Sequence, residues 1–588
     1  MEKTEASSGV RDSRLRGLLE GHWSWLMARA PTWATRMGDH RYDAELGAFG
    51  PEAVRRDRVE AQRWLAEAAR IERRDLSRED ALTLQLFVDM VAGDAATDLC
   101  HTEQWDVSAR TNPLATANDL PDVQPIRRVT DGRNLVGRYR GIPAMVMGAI
   151  ALSREGIAAG RTPERGAVAL VLRQVHDELA LPSAEMALAG PAHESHPEWS
   201  AADLAAFRRD LGAAIEEARE AFSTYETFLR DELLPAARPP EQAGTLFLPD
   251  GAACYAALIH KETGLPLTAR ALHATGLSEL ERIHAEVRGL GASLCGTDDP
   301  ATIFSRLRED PSLRFSTRDD VLAAASRYLE AARAAVPRYF GRLPAADCVV
   351  RPIPDYLAPY TYIAYYNPAV PGGEQPGEYR VNTWQPETRA RFELAALTFH
   401  ESIPGHHLQM ALAQELPDLP SFRRNLGPNV YIEGWALYTE RLAVEMGLYR
   451  DDLDTMGMLG FDAWRASRLV VDTGIHAQGW TREQAVAFMM ANTPLAENNI
   501  RNEVDRYITW PGQALSYKTG QLEILRLRAE AEAALGPRFS LPAFHDVVLG
   551  AGAVSLPVLG ARVHEWIATL VGSSAGSSAG GADAGGAR

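Results

Sequence analysis

His400-Glu401-Ser402-Ile403-Pro404-Gly405-His406-His407 follows the apolar run Phe392 to Phe399. Three imidazoles and a carboxylate at the end of a hydrophobic helix are costly, because each polar group buried without a partner loses on the order of kilocalories per mole. A bound metal ion would supply the missing partner. In the zinc-peptidase pattern H-E-x-x-H, two histidines four apart share a helix face and the glutamate activates water. This stretch begins in that way and departs at position 404, where proline stands in place of the second histidine.

On a regular helix a residue four positions on lies about 6 Å along the axis and close to the same face. His406 is six positions beyond His400, about 9 Å along and on a different face, and His407 is about 10.5 Å along on the same face. Neither meets His400 on an unbroken helix. Pro404 and Gly405 are the pair that prevents one, since proline removes a donor and clashes one turn back while glycine permits unusual dihedrals. A bulge that loops out about two residues brings a histidine back into range, with His406 better placed than His407.

The chain has 588 residues and a formal charge of −17, so core size is not limiting and the basic footprint of a nucleic-acid or anionic-membrane binder is missing. Cys100, Cys254, Cys295 and Cys348 show no close spacing and read as reduced thiols. Met1 to Arg16 is polar without the apolar core of a signal peptide, and no stretch is apolar enough to cross a bilayer. The expected address is cytoplasmic.

Helical periodicity covers 13–30, 52–72, 80–100, 135–159, 163–181, 200–234, 252–260, 267–293 and 318–336, with Thr268 and Ser316 or Thr317 as caps. Between Thr111 and Pro125 the Asn112-Pro113 and Leu120-Pro121 steps read as breakers in a loop. Cys348–Ile353, Tyr360–Tyr366 and Glu378–Thr383, separated by Pro371-Gly-Gly373 and Pro376-Gly377, read as three strands of a small sheet. Such a sheet either offers an edge to an extended substrate or simply covers the core. Helices then return over 388–403, 429–447, 451–478, 481–491, 497–507, 512–535 and 555–570. The tail 572–588, rich in Gly, Ser and Ala, is expected to be disordered. The expected organisation is a helical N-terminal part over 1–345, a catalytic part over 346–571, and the tail. The fold class is mainly α, a large multi-helix fold with a small sheet next to the metal-site helix.

The stretch at 400 resembles the H-E-x-x-P-G-H signature of the bacterial domain-of-unknown-function 885 family, which is similar to the gluzincin class of zinc metallopeptidases. The resemblance extends to Tyr431-Ile-Glu-Gly-Trp-Ala-Leu-Tyr438, Val471-Asp-Thr-Gly-Ile-His-Ala-Gln-Gly-Trp480 and Arg506-Tyr-Ile-Thr-Trp-Pro-Gly-Gln-Ala-Leu-Ser-Tyr-Lys518. It implies zinc as the cofactor, a gluzincin-like fold, and His400, His406 and Glu433 as ligands, the histidine directly after Pro-Gly being the fixed one. Glu433 has independent support. An exposed helix glutamate favours a basic partner three or four residues on, but Ala436 and Leu437 stand there, so Glu433 is expected to point inward, with Gly434 leaving room for close approach.

Glu401 is the candidate general base, moving a proton from a metal-bound water to the leaving amine. Tyr517, by resemblance to a tyrosine-bearing helix of related peptidases, and His476, between Gly474 and Gly479, are candidates to stabilise the oxyanion. His407, Arg506 and Asn382 are candidate substrate contacts, with ordinary core roles as the alternative for each. The leading expectation is a zinc-dependent hydrolase of peptide or peptide-like amide bonds. The alternatives are a metal-dependent enzyme acting on a small-molecule amide or ester, and a non-catalytic helical scaffold whose histidines are structural. No P-loop, dinucleotide fingerprint or G-x-S-x-G elbow is present. The expected partners are a peptide or small amide substrate, with no nucleic acid or membrane; oligomeric state is not legible.

Overall fold

The computed structural model describes residues 6–355, 358, 363–369 and 376–577. The fold is mainly α with one three-stranded sheet. Two compact units divide the chain. The first holds residues up to Leu258 together with Gly474–Ala485 and Asn502–Pro511, and the second holds Ile259–Thr473, Val486–Arg501 and the chain from Gly512 onward. Residues 259–345 thus fall with the second unit, whereas the texture of the sequence placed the boundary at 345.

The first unit packs around the helix Ala201–Phe228, which buries Phe207, Leu211, Ala214, Ile215, Ala218, Phe222 and Tyr225 along one stripe at helical spacing. Val129–Tyr139, Ile142–Ala158 and Arg165–Ala180 supply the facing apolar side chains. The segment expected as a loop at 111–125 contains two short helices, Pro113–Asn118 and Leu120–Val123. Pro113 and Pro121 sit in first turns, where a missing N–H costs nothing, and the Asn112 side chain caps the first of them. Cys100 and Cys254, expected as reduced thiols, form a disulfide across a sequence separation of 154. Their spacing carried no signal because the chain's path, not local pattern, brings them together.

In the second unit Thr268 and Thr317 cap the helices Ala269–Cys295 and Arg318–Ala335, as the sequence indicates. The sheet comprises β1 (Cys348–Pro352), β2 (Ala364–Asn367) and β3 (Gly377–Val381) in the order β1-β3-β2. β1 runs parallel to β3 and β2 antiparallel to it. The expected strand at 360–366 lies partly outside the described residues, as does the Pro371-Gly-Gly373 turn. Beyond the sheet come α1 (Leu394–Glu401), α2 (His406–Glu415), α3 (Asn429–Glu445), α4 (Asp452–Gln478) and α5 (Ser516–Leu535). α3 and α5 cross at Gly434 and Gly520: a Cβ on Gly520 would lie 1.9 Å from the Val430 carbonyl, and one on Gly434 would lie 2.5 Å from the Gly520 Cα. Gly434 therefore makes room for a helix rather than for a metal. The last helix, Leu556–Ser577, includes the first residues of the tail expected as disordered; 578–588 lie outside the described residues.

Candidate metal centre

α1 ends where its sequence changes from apolar to Ser-Ile-Pro-Gly. Ser402 leaves helical geometry at φ −110°, ψ −115°, and its hydroxyl donates to the Thr398 carbonyl. Pro404 has no N–H to continue the ladder. Gly405 follows at φ −77°, ψ −128°, pressed so closely on α1 that a Cβ there would sit 1.9 Å from the His400 carbonyl oxygen and 2.4 Å from that of Phe399. The His407 N–H then donates to Ser402 O at 3.1 Å, and α2 begins at His406.

The result is a break of four residues between two helices, rather than a bulge inside one. α3 fastens it. The Trp435 indole N–H donates to Pro404 O at 3.0 Å, satisfying a carbonyl of the break, and the Thr439 hydroxyl, whose shorter donation goes to Ala436 O at 2.7 Å, also lies 3.3 Å from Phe399 O. The break turns His406 back toward His400, and their rings stand edge to face with centroids 4.8 Å apart.

Glu433 of α3 completes a trio. His400 Nε2 lies 3.4 Å and His406 Nε2 3.5 Å from the same oxygen, Glu433 Oε2. The three donor atoms lie within 4.8 Å of one another. A tetrahedral ion bound at about 2.0–2.1 Å to each ligand sets neighbouring donors roughly 3.3 Å apart, so both histidine-to-glutamate separations match. Among the described residues no well-formed hydrogen bond reaches the buried Glu433 Oε2 or the buried His406 Nδ1. The donor set of two imidazoles and a carboxylate, with an orphaned oxygen at its centre, fits a zinc-like divalent ion.

The three groups are coupled electrostatically. Burial opposes ionisation of Glu433, but the flanking His400 and His406 outweigh it and hold its carboxyl well below the ordinary carboxylate range. Burial likewise disfavours charge on His400, yet Glu433 and then Glu440 raise it to about 9. Glu401 moves the other way: burial raises its carboxyl, against the opposing pull of His400 and His406. A carboxyl raised by burial beside a candidate ion is suited to taking and giving a proton.

The remaining sequence candidates occupy other settings. His407 is buried, with Nδ1 2.9 Å from the Tyr366 hydroxyl and Nε2 3.1 Å from Ala346 O. Both ring nitrogens are thereby engaged, and the residue ties α2 to the sheet instead of facing a substrate. His476 belongs to the first unit. Its Nδ1 accepts from the Thr245 N–H at 3.1 Å and its Nε2 donates to Tyr507 O at 2.9 Å, and burial lowers its pKa to about 4. A neutral ring with both nitrogens used has nothing to offer an oxyanion. Asn382 is buried, donating to Ala358 O at 2.7 Å and accepting from the Trp384 N–H at 3.0 Å, so it shapes the chain after β3. Arg506 lies in the first unit, 3.6 Å from Glu503 and beside the Trp510 ring. Tyr517 is buried near the start of α5, with the Arg468 guanidinium 4.1 Å over its ring.

Two side chains at the site carry no mark in the sequence reading. Glu440 Oε1 lies 2.8 Å from His400 Nδ1, and Arg465 of α4 lies 3.3 Å from the same oxygen. Glu440 is seven residues beyond Glu433 and so on the same helix face, and Ala443 and Val444 stand where an exposed glutamate would favour a basic partner, so the argument applied to Glu433 points to it as well. For Arg465 a signal existed: Asp462, Arg465, Arg468 and Asp472 recur at helical spacing in an otherwise apolar helix, and all are buried.

No curated protein matches the chain. Among solved structures it is similar to one described as a "putative lipoprotein" from Colwellia psychrerythraea, with 26% identity, a TM-score of 0.88, and coverage of 95% of this chain and 100% of that one. A second, a "putative lipoprotein of unknown function" from Shewanella oneidensis, shares the fold at 20% identity and a TM-score of 0.74, over 94% of this chain and 99% of that one. Among the described residues of this chain, no helix is long and apolar enough to cross a membrane. Residues 31–563 match the family described as "Bacterial protein of unknown function (DUF885)", and the chain, H-E-x-x-P-G-H stretch included, belongs to that family.

Proposed function

We propose that the chain is a zinc-dependent hydrolase of peptide or peptide-like amide bonds. The observation that carries this reading is the convergence of His400 Nε2 and His406 Nε2 on one buried Glu433 oxygen that has no well-formed hydrogen bond among the described residues. His400, His406 and Glu433 would hold the ion. When bound, zinc supplies Lewis acidity and a water that ionises near neutral pH. Glu401, next to His400 on α1, takes a proton at its carboxylate and returns it to the departing amine. Tyr517 is the candidate hydroxyl donor toward the developing oxyanion; His476 is withdrawn from that role because both its nitrogens are spent.

The test is zinc content and peptide hydrolysis of the wild type against Glu401→Gln. About one zinc per chain in both, with hydrolysis reduced roughly 10²–10⁴-fold in the variant, is expected. Zinc-free wild type, or undiminished hydrolysis by the variant, sinks the reading. As for compartment, the Cys100–Cys254 bond favours an oxidising one over the cytoplasm, where thiols stay reduced.

A further inference from the structure

We propose that Glu440 and Arg465 are positioning residues that fix the His400 ring so that Nε2 faces Glu433; the inference rests on the metal reading above. Glu440 and Arg465 are both buried, on α3 and α4. A carboxylate accepts only, so at 2.8 Å the proton between Glu440 Oε1 and His400 Nδ1 belongs to the ring nitrogen. That assigns the tautomer. With Nδ1 protonated, the Nε2 lone pair is the one presented to an ion, and the ring cannot flip without breaking the bond.

Arg465 compensates the buried charge of Glu440, and its own position is fixed. Its guanidinium lies 4.3 Å from the Trp464 ring and 4.6 Å from the Phe461 ring, and Nη1 donates to Phe461 O at 3.4 Å. The Tyr449 hydroxyl donates to the Glu440 backbone carbonyl at 2.9 Å, steadying that turn of α3. The form of the pair argues for positioning rather than simple adhesion. An arginine and a carboxylate joined for their own sake tend to pair bidentately. Here one oxygen, Glu440 Oε1, meets both His400 and Arg465, while Glu440 Oε2 and Arg465 Nε have no hydrogen-bond partner among the described residues. The carboxylate is turned to suit the histidine. His406, by contrast, has no such partner on Nδ1 among the described residues, so the fixed arm of the site is His400.

The test uses full-length protein stripped of metal, titrated with zinc against a chelator of known affinity, and with Co²⁺ followed by its visible absorption. Glu440→Gln keeps the shape and removes the charge; Arg465→Met removes the compensating charge, and Arg465→Lys restores it. Zinc affinity lower by about 10–100-fold in Glu440→Gln and Arg465→Met, an altered Co²⁺ spectrum, partial recovery in Arg465→Lys, and unchanged circular dichroism of the metal-free proteins are expected. Wild-type affinity and spectrum in both variants overturn the positioning role while leaving the metal reading standing. Affinity lost only together with the metal-free fold, the Co²⁺ spectrum of the folded fraction being normal, overturns it as well. A wild type that binds neither metal overturns the metal reading itself, and this inference with it.

Discussion

Gly405→Ala isolates the geometry on which the candidate site depends. The new methyl carbon would stand 1.9 Å from the His400 carbonyl oxygen, about 1.4 Å inside the ~3.3 Å at which a C–H group meets a carbonyl. No rotamer relieves this, because both atoms belong to the backbone or are rigidly attached to it. The break must open, carrying His406 away from His400 by an amount of that order. Overpacking of this kind costs about 1–3 kcal/mol, and a displacement near 1 Å at a reacting centre costs on the order of 10²-fold in rate. The His400-to-Glu433 and His406-to-Glu433 separations of 3.4 and 3.5 Å already match those a bound ion sets, so such a shift carries His406 out of reach. We expect zinc affinity, measured by chelator competition, to fall by at least tenfold, with the unfolding midpoint lowered by a few degrees. Gly212→Ala is the matched control: it lies in the helix Ala201–Phe228, nothing stands within 4 Å of its added Cβ, and it should stabilise by about 0.4–1 kcal/mol. If Gly405→Ala binds zinc as tightly as the wild type, the claim that Pro404 and Gly405 set the site's geometry is wrong.

Two buried histidines should each oppose folding as the pH drops through the mildly acidic range. Burial lowers His476 to about 4 and His545 to about 3, whereas an unfolded histidine titrates near ~6.5; the unfolded chain therefore binds protons that the native chain refuses. Their contribution is neutral above about pH 7 and unfavourable below it, about 2 kcal/mol per residue at pH 5; an NMR titration of the two imidazoles should find both neutral at pH 5, and a midpoint near ~6.5 for either would contradict the neutral, buried assignment. Reduction of Cys100–Cys254 releases a loop of 154 residues in the unfolded chain, an entropic effect of up to about 5 kcal/mol. Unfolding with and without reductant measures it, and a non-reduced peptide map without a 100–254 cross-link rules the bond out.

How much of this was legible in the sequence follows from what each feature depends on. The helices, the three-stranded sheet and the Thr268 and Thr317 caps depend on periodicity and local chemistry, and the sequence carries both. Glu433 was legible as an inward-facing residue for a negative reason, the absence of a basic partner at Ala436 or Leu437. Glu440 carries the same mark, with Ala443 and Val444 three and four residues on, and was passed over; in the structure its neighbour Arg441 serves Asp462 and Glu286. His476 and His407 looked chemical because a histidine between glycines or after a histidine suggests a site, yet both are consumed by backbone and tyrosine partners that only the folded chain supplies. Gly434 was read as leaving room for close approach, and the element that approaches is α5. The same limit applies at the centre of the site. Pro404 and Gly405 announce that α1 cannot continue, but the return path needs Trp435 of α3 to hold the Pro404 carbonyl. α3 also supplies Glu433. One helix thus closes the break and brings the third donor, so a change at Trp435 that leaves every candidate ligand in place should still loosen the site.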